Sequence, residues 1–379
     1  MSDLFLNTKD ADLLYKSKVF AGIVSKRAFV GPLVAVIGGN YSCNYRCIFC
    51  EWFSPMMKLR NDILAPHCPM NIDVYKKLVR ELRELGTKVI LMGNIEEPFM
   101  DTQLIEKIRF AKGHNLGCFI ITNGSLINEK TAEKLVNLKL DYLNVSINAG
   151  TPETYPRIHT TETGETFERI TSMVSLIEKL KEKKRASFPR TRLSMVVCNR
   201  NYNDIVRFVG LCQEIGVRNA LVKRLISPSK EIAEELELTS RQERETRNYL
   251  VEALKVAKKY DITVDMEWAE WMGSQKTQVR KRTSCYYGWL FTVIDANGDV
   301  HSCCFQDRSP PCTIGNIRKD NFSTLWFSKK YQDFRRNYRN IDERRKMGYQ
   351  CNQPSCFFNN KRIYEMLRKP YLFISSILH

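Results

Sequence analysis

Apolar and polar positions change period repeatedly along this chain. Continuous apolar runs at residues 32–39, 88–92, 118–122, 142–147, 192–197 and 220–226 predict six buried strands. Between them, apolar residues recur at helical spacing over 73–85, 103–112, 129–138, 166–184 and 204–215, the last of these stopping at Gly216. Strand and helix alternating in this way predict a parallel sheet, with chemistry gathered on the loops that leave the C-terminal strand ends. The expected fold class is α/β, a partial (β/α)6 TIM-like barrel over residues 33–226 behind a helical lead-in at 1–32.

The pattern changes after residue 226. Residues 231–238 and 241–259 are charged and helix-favouring, and residues 227–275 read as a helical bridge. From about 276 to 379 the chain is richer in Cys, Gly, Asn and aromatic residues, which predicts a smaller second domain ending in a helix. No internal repeat or low-complexity segment interrupts this order.

Composition narrows the class. With 43% hydrophobic and 27% charged residues among 379, the chain has the balance of a globular protein that buries a full core. Asp3, Lys9, Asp10 and Asp12 break the N-terminal stretch where a signal peptide would need an apolar run, so a cytoplasmic location is expected. The apolar tail at 371–378 is too short to span a bilayer, and no transmembrane segment is expected; docking on the fold suits it better. Fifty-nine basic against 42 acidic residues give a formal charge of +17, which favours an anionic substrate. The same charge admits a metal-stapled nucleic-acid-binding protein, although basic runs such as 181–185 and 335–345 are ordinarily solvated surface, and no nucleic-acid partner is expected.

Thirteen cysteines in a chain without an export signal point to metal more than to disulfides. Cys43, Cys47 and Cys50 stand as C-x3-C-x2-C on the loop after the first strand. Such spacing lets one loop ligate three irons of a cubane and leaves the fourth without a protein ligand; zinc would need a fourth donor. The motif, with Phe49 before its last cysteine, resembles that of the radical S-adenosylmethionine (SAM) superfamily. The resemblance implies a 4Fe-4S cluster whose open iron chelates SAM, and reductive cleavage of SAM to a 5'-deoxyadenosyl radical that abstracts hydrogen. An electron donor such as flavodoxin or ferredoxin is then implied as a partner.

The family's SAM-contacting positions have counterparts here. Gly93, Asn94, Glu96, Glu97 and Pro98 follow the second strand, where the family has a Gly-Gly-Glu-Pro-like turn, with Ile95 and Glu96 departing from it. Thr122 and Asn123 end the third strand, and Ser146 and Asn148 lie on one face at the end of the fourth. Short hydroxyl and amide groups there can bond ribose or carboxylate without filling a cavity. Where related enzymes often carry an arginine, this chain has Ile158-His159 with Arg157 just before them; His159 admits a role as a substrate acid or base, but a lone surface histidine is more often incidental, and it is left out of the site.

Cys285 and Cys303 bracket an apolar hairpin with an Asn297-Gly298 turn; Gly315-Asn316-Ile317, Leu325-Trp326, Cys351 and Cys356 follow. This region resembles the SPASM and twitch extensions of radical SAM enzymes. It implies a second, auxiliary 4Fe-4S cluster on Cys285, Cys303, Cys351 and Cys356, with Cys304 and Cys312 spare, that accepts or relays an electron; a structural zinc on the same thiols competes. The expected enzyme is a radical SAM oxidoreductase or relative that performs dehydrogenation, epimerisation or deoxygenation on a polar, anionic, carbohydrate- or nucleotide-like small molecule. The second expectation is peptide maturation of the SPASM type, against which about thirty residues before the barrel are few for a leader-binding domain.

Overall fold

The computed structural model describes residues 13–57, 69–93, 95–227, 229–266, 285–303 and 313–337, with Glu343 and Lys346. Helix α1 (Leu13–Ser25) leads to strand β1 (Val34–Ile37). Helix α2 (Ile72–Glu84), β2 (Val89–Met92), α3 (Leu104–Gly113), β3 (Gly117–Thr122), α4 (Glu129–Asn137) and β4 (Tyr142–Ser146) follow. After them come α5 (Tyr155–Ile158), α6 (Gly164–Lys184), β5 (Arg190–Val197), α7 (Ile205–Glu214) and β6 (Asn219–Arg224). The alternation read from the apolar pattern is therefore present, and it forms a partial barrel.

Local chemistry sets these elements. In α2 the Asn71 side chain accepts from the Val74 N–H, and Tyr75, Leu78, Val79 and Leu82 form one buried face. In β1, Ala35 and Ile37 join the core shared with the helix layer, while Val34 and Val36 pack with Tyr15, Val19 and Ile23 of α1 on the opposite, inner face. Both faces are covered, so the strand is apolar throughout. Further round the barrel the inner face turns polar, with Asn144, Ser146, Arg192 and Ser194 joined by hydrogen bonds across β4 and β5.

The bridge holds more than helices. Helix α8 (Lys230–Leu236) precedes α9 (Ser240–Lys259), which packs on α7, and the chain then enters a strand not read from the sequence, β7 (Thr263–Met266), parallel to β6. Thr263, Val264, Asp265 and Met266 are too short and mixed a run to signal a strand alone; pairing with β6 makes it one. The expected boundary near 275 lies outside the described residues.

The hairpin after helix α10 (Tyr287–Leu290) extends the same sheet. Strand β8 (Phe291–Ile294) runs parallel to β1, and β9 (Asp299–His301) and β10 (Thr313–Asn316) continue antiparallel, giving ten strands in the order β10-β9-β8-β1-β2-β3-β4-β5-β6-β7 among the described residues. The Gly-Asn-Ile stretch has a clear packing purpose. A Cβ on Gly315 would meet Leu325 at 2.4 Å, and the Asn316 amide donates to the Asn297 carbonyl (3.1 Å) and the Asp299 carboxylate (2.8 Å), clamping the turn.

Helices α11 (Phe322–Trp326) and α12 (Lys329–Arg336) close this end. Here Arg335, expected on a solvated basic run, is 0% exposed. Its guanidinium lies 4.4 Å from the Trp326 ring centre and 4.3 Å from that of Tyr331, and it donates to the Gly288 and Trp326 carbonyls. Two aromatic faces and two carbonyls compensate the charge that water would otherwise solvate.

Candidate active site

The cysteine loop leaves β1 through Gly38 and Gly39. Cys43, Cys47 and Cys50 are all half-buried on it. The Tyr45 N–H points at Cys43 Sγ, and the Trp52 and Phe53 N–H groups at Cys50 Sγ, each at 3.4 Å. Burial pushes the Cys43 thiol up to about 11 and raises Cys47 and Cys50 as well; neighbouring thiols add to the rise at Cys47, while the two N–H groups oppose it at Cys50. Three thiolates would thus need a bound cation to exist here at neutral pH. The three thiols act on one another's charge, Cys43 on Cys47 and Cys50 on both, so they share one neighbourhood, and three soft donors without a fourth fit a cubane with one open iron.

The turn after β2 is bonded to this loop. Glu96 accepts from the Gly39 N–H at 2.9 Å, and the Glu97 N–H donates to the Ser42 carbonyl at 2.9 Å. The Glu97 carboxylate accepts from the Thr122 hydroxyl (2.5 Å), the Asn123 N–H (2.7 Å) and the Phe99 N–H (3.1 Å). Burial raises its pKa, and those three donors oppose the rise. Gly93 has φ +94°, and a Cβ there would sit 2.0 Å from the Ile121 carbonyl oxygen and 2.8 Å from Pro98. Asn94 lies outside the described residues.

The ends of β3 and β4 complete the floor. Asn123 donates to the Asn44 side chain at 3.0 Å, and Asn44 donates to the Ser125 hydroxyl at 2.8 Å, so the β3 end holds the cysteine loop. Ser146 lies 3.3 Å from the Ser194 hydroxyl. Asn148 is buried in a left-handed conformation, φ +56°, where its side-chain oxygen accepts from the Val196 N–H at 2.9 Å, continuing the β4–β5 pairing beyond the strand. Of the predicted SAM contacts, Glu96, Glu97, Thr122, Asn123, Ser146 and Asn148 thus all have their side chains engaged by protein groups.

His159 is not a surface residue. It is 1% exposed, its Nδ1 lies 3.1 Å from Cys47 Sγ, and its Nε2 lies 3.1 Å from the Ile147 carbonyl. Burial lowers its pKa to about 4, with the Ile147 carbonyl opposing. A lone histidine carries no sequence period that would reveal this; only the folding of α5 onto the cysteine loop does. Asn44, Ser125, Arg192 and Ser194 were likewise missed, although Asn44 sits inside the cysteine motif and Ser194 alternates onto the inner face.

In the C-terminal region, Cys285 and Cys303 flank the hairpin and are half-buried. The antiparallel register, Val293 opposite His301, brings the start of β8 and the end of β9 together. Cys304, Cys312, Cys351 and Cys356 lie outside the described residues. At the hairpin tip, which packs by Ala296 against Tyr41, Phe53, Cys43 and Cys50, Asp295 accepts from the Asp299 N–H (2.9 Å) and lies 3.1 Å from His301 Nε2.

Two family models match the chain: the radical SAM superfamily over residues 40–212 and an iron-sulfur cluster-binding domain of the SPASM type over residues 285–356. Together they span well over half of it. The chain belongs to the radical SAM superfamily. Its members named below are enzymes, and this radical SAM protein is an enzyme that uses SAM and iron-sulfur clusters. It is 22% identical over 304 residues to the mycofactocin maturase MftC of Mycolicibacterium smegmatis, covering 79% of this chain and 71% of that one. It is 28% identical over 244 residues to a protein named as a probable GTP 3',8-cyclase of Thermococcus kodakarensis, covering 60% and 71%. The fold matches Streptococcus suis SuiB bound to S-adenosylmethionine with a TM-score of 0.62 at 14% identity, over 85% of this chain and 72% of that one. Among the described residues no helix is long and apolar enough to cross a membrane.

Proposed function

We propose that Cys43, Cys47 and Cys50 hold the SAM-binding 4Fe-4S cluster, and that this radical SAM enzyme abstracts hydrogen from an anionic, nucleotide- or carbohydrate-like small molecule. The supporting observation is convergence: the cysteine loop is bonded to the 93–98 turn through Glu96 and Glu97 and to the β3 end through Asn123 and Asn44. When bound, the cluster and SAM supply a reducing electron and a 5'-deoxyadenosyl radical. The chain's own part is to hold and orient. Glu96, Glu97 and Asn148 fix the turn and strand ends, Thr122 holds the Glu97 carboxylate through its hydroxyl, Gly93 lets the backbone pass close to β3, and Asn123 and Ser146 are the short polar groups assigned to the cofactor. Cys285, Cys303, Cys351 and Cys356 are assigned to an auxiliary 4Fe-4S cluster that takes up or relays an electron, with a flavodoxin- or ferredoxin-type donor as external reductant.

The substrate class rests on charge and on the inner face. Arg192 is buried there, donating from Nε to Asn144 at 2.8 Å, and alternation along β6 places Lys223 on the same face as Leu221. A formal charge of +17 adds long-range attraction for anions. Similarity to the named GTP cyclase favours a nucleotide; similarity to MftC over most of the chain favours the second reading, a ribosomal peptide. Incubation with deuterated nucleotides, sugar phosphates and short peptides tests this. Deuterium recovered in 5'-deoxyadenosine from an anionic small molecule supports the reading, and transfer only from peptides overturns it.

A further inference from the structure

We propose that His159 is a positioning residue that donates a hydrogen bond from Nδ1 to the Cys47 sulfur when that sulfur ligates iron. The inference rests on the assignment of Cys47 as a cluster ligand and goes beyond it to a group outside the cysteine motif. Nδ1 is 3.1 Å from Cys47 Sγ. The backbone locks the two residues together: Cys47 and His159 form an isolated antiparallel bridge, the Ile48 N–H donates to the Ile158 carbonyl at 3.0 Å, and the Thr160 hydroxyl donates to the Arg46 carbonyl at 3.1 Å. The imidazole is further confined by the Tyr45 and Tyr155 rings, with centroids 5.2 and 4.4 Å away, whose hydroxyls bond each other at 2.8 Å.

The far side of the ring decides what Nδ1 can do. Nε2 faces the Ile147 carbonyl at 3.1 Å and the Asn148 side-chain amide nitrogen at 3.5 Å. The carbonyl accepts when Nε2 carries the proton; a bare Nε2 loses that bond, and the Asn148 amide donates to it instead. Nδ1 can therefore accept from the Cys47 thiol in the metal-free chain and donate to its sulfur in the loaded one, with a small turn of the ring carrying Nε2 from the Ile147 carbonyl toward the Asn148 amide. Outer groups that bond a ligand in this manner orient it and tune the metal, and a hydrogen bond to a cluster sulfur favours the more negatively charged reduced state. This also gives Asn148 a purpose, since its left-handed backbone and its bond to Val196 hold the amide beside Nε2.

The test compares the anaerobically reconstituted full chain with His159→Phe and His159→Asn. Phenylalanine keeps a ring and removes the N–H; asparagine restores an N–H near the place of Nδ1. The cluster on Cys47 is followed by the electron paramagnetic resonance signal of the reduced protein that changes on adding SAM. Its midpoint potential should move negative in His159→Phe and return toward the original in His159→Asn. Equal midpoints in all three, or an asparagine variant that follows phenylalanine, would overturn the inference. Where phenylalanine prevents loading, the unsubstituted protein answers: labelling histidine with nitrogen-15 should add a nitrogen coupling to the SAM-responsive signal that disappears in His159→Asn, and a signal without that coupling overturns it. Failure of the underlying assignment reads differently, as a Cys47→Ala protein that keeps the SAM-responsive signal.

Discussion

Gly93 stands at the tightest point of the site. Its φ of +94° and a separation of only 2.0 Å between an added Cβ and the Ile121 oxygen leave no room for a side chain. The conformation alone costs a residue with a Cβ roughly 1–2 kcal/mol, and the overlap adds to it. Gly93→Ala should therefore lower stability in urea unfolding by more than about 2 kcal/mol; an unchanged midpoint would show that the turn relaxes freely. Glu97 illustrates how much of a site can be read from residue types alone. A Glu-Pro pair after the second strand is visible in the sequence, but the three donors that surround its carboxylate come from two elements and become apparent only when the strands are side by side. His159 shows the converse, since a single residue with no period and no neighbour of matching chemistry acquires its place from a loop more than a hundred positions away.

At the level of elements, the hairpin β8–β9 is the part whose role the sequence least revealed. Its Asn-Gly turn and apolar strands were legible, but parallel pairing of β8 with β1 depends on a contact between distant segments that no local pattern encodes. The same holds for β7, a strand made by its neighbour β6. Strands β1 and β2, by contrast, were legible because both their faces are buried, and β3 and β4 because their helix-side positions stay buried and apolar where the inner ones do not. Asp295 fastens the hairpin at its tip. Burial works against its charge, but His301, Tyr41 and the Asp299 N–H outweigh that and hold its pKa below the ordinary 3.8. A carboxyl depressed in this way stabilises the fold above its unfolded pKa and loses that contribution as pH falls through its folded value. Asp295→Asn should cost about 1–3 kcal/mol at pH 7, and the gap between variant and original should narrow below about pH 4. A gap that persists unchanged in chemical unfolding at pH 3 would contradict this.

For the whole molecule, one continuous sheet carries the thiol loop at one strand end and the SPASM-type hairpin beside it, so Ala296 of the hairpin packs among Tyr41, Cys43, Cys50 and Phe53. The chemistry assigned to the enzyme depends on the three thiols of that loop acting together. The most direct measurement is 5'-deoxyadenosine released from SAM by anaerobically reconstituted, dithionite-reduced protein, compared with the triple variant Cys43→Ala, Cys47→Ala, Cys50→Ala. Release is expected from the original chain and none from the variant, with the auxiliary iron retained. Release undiminished by the triple substitution, or zinc in place of iron on the loop with no SAM cleavage, would contradict it.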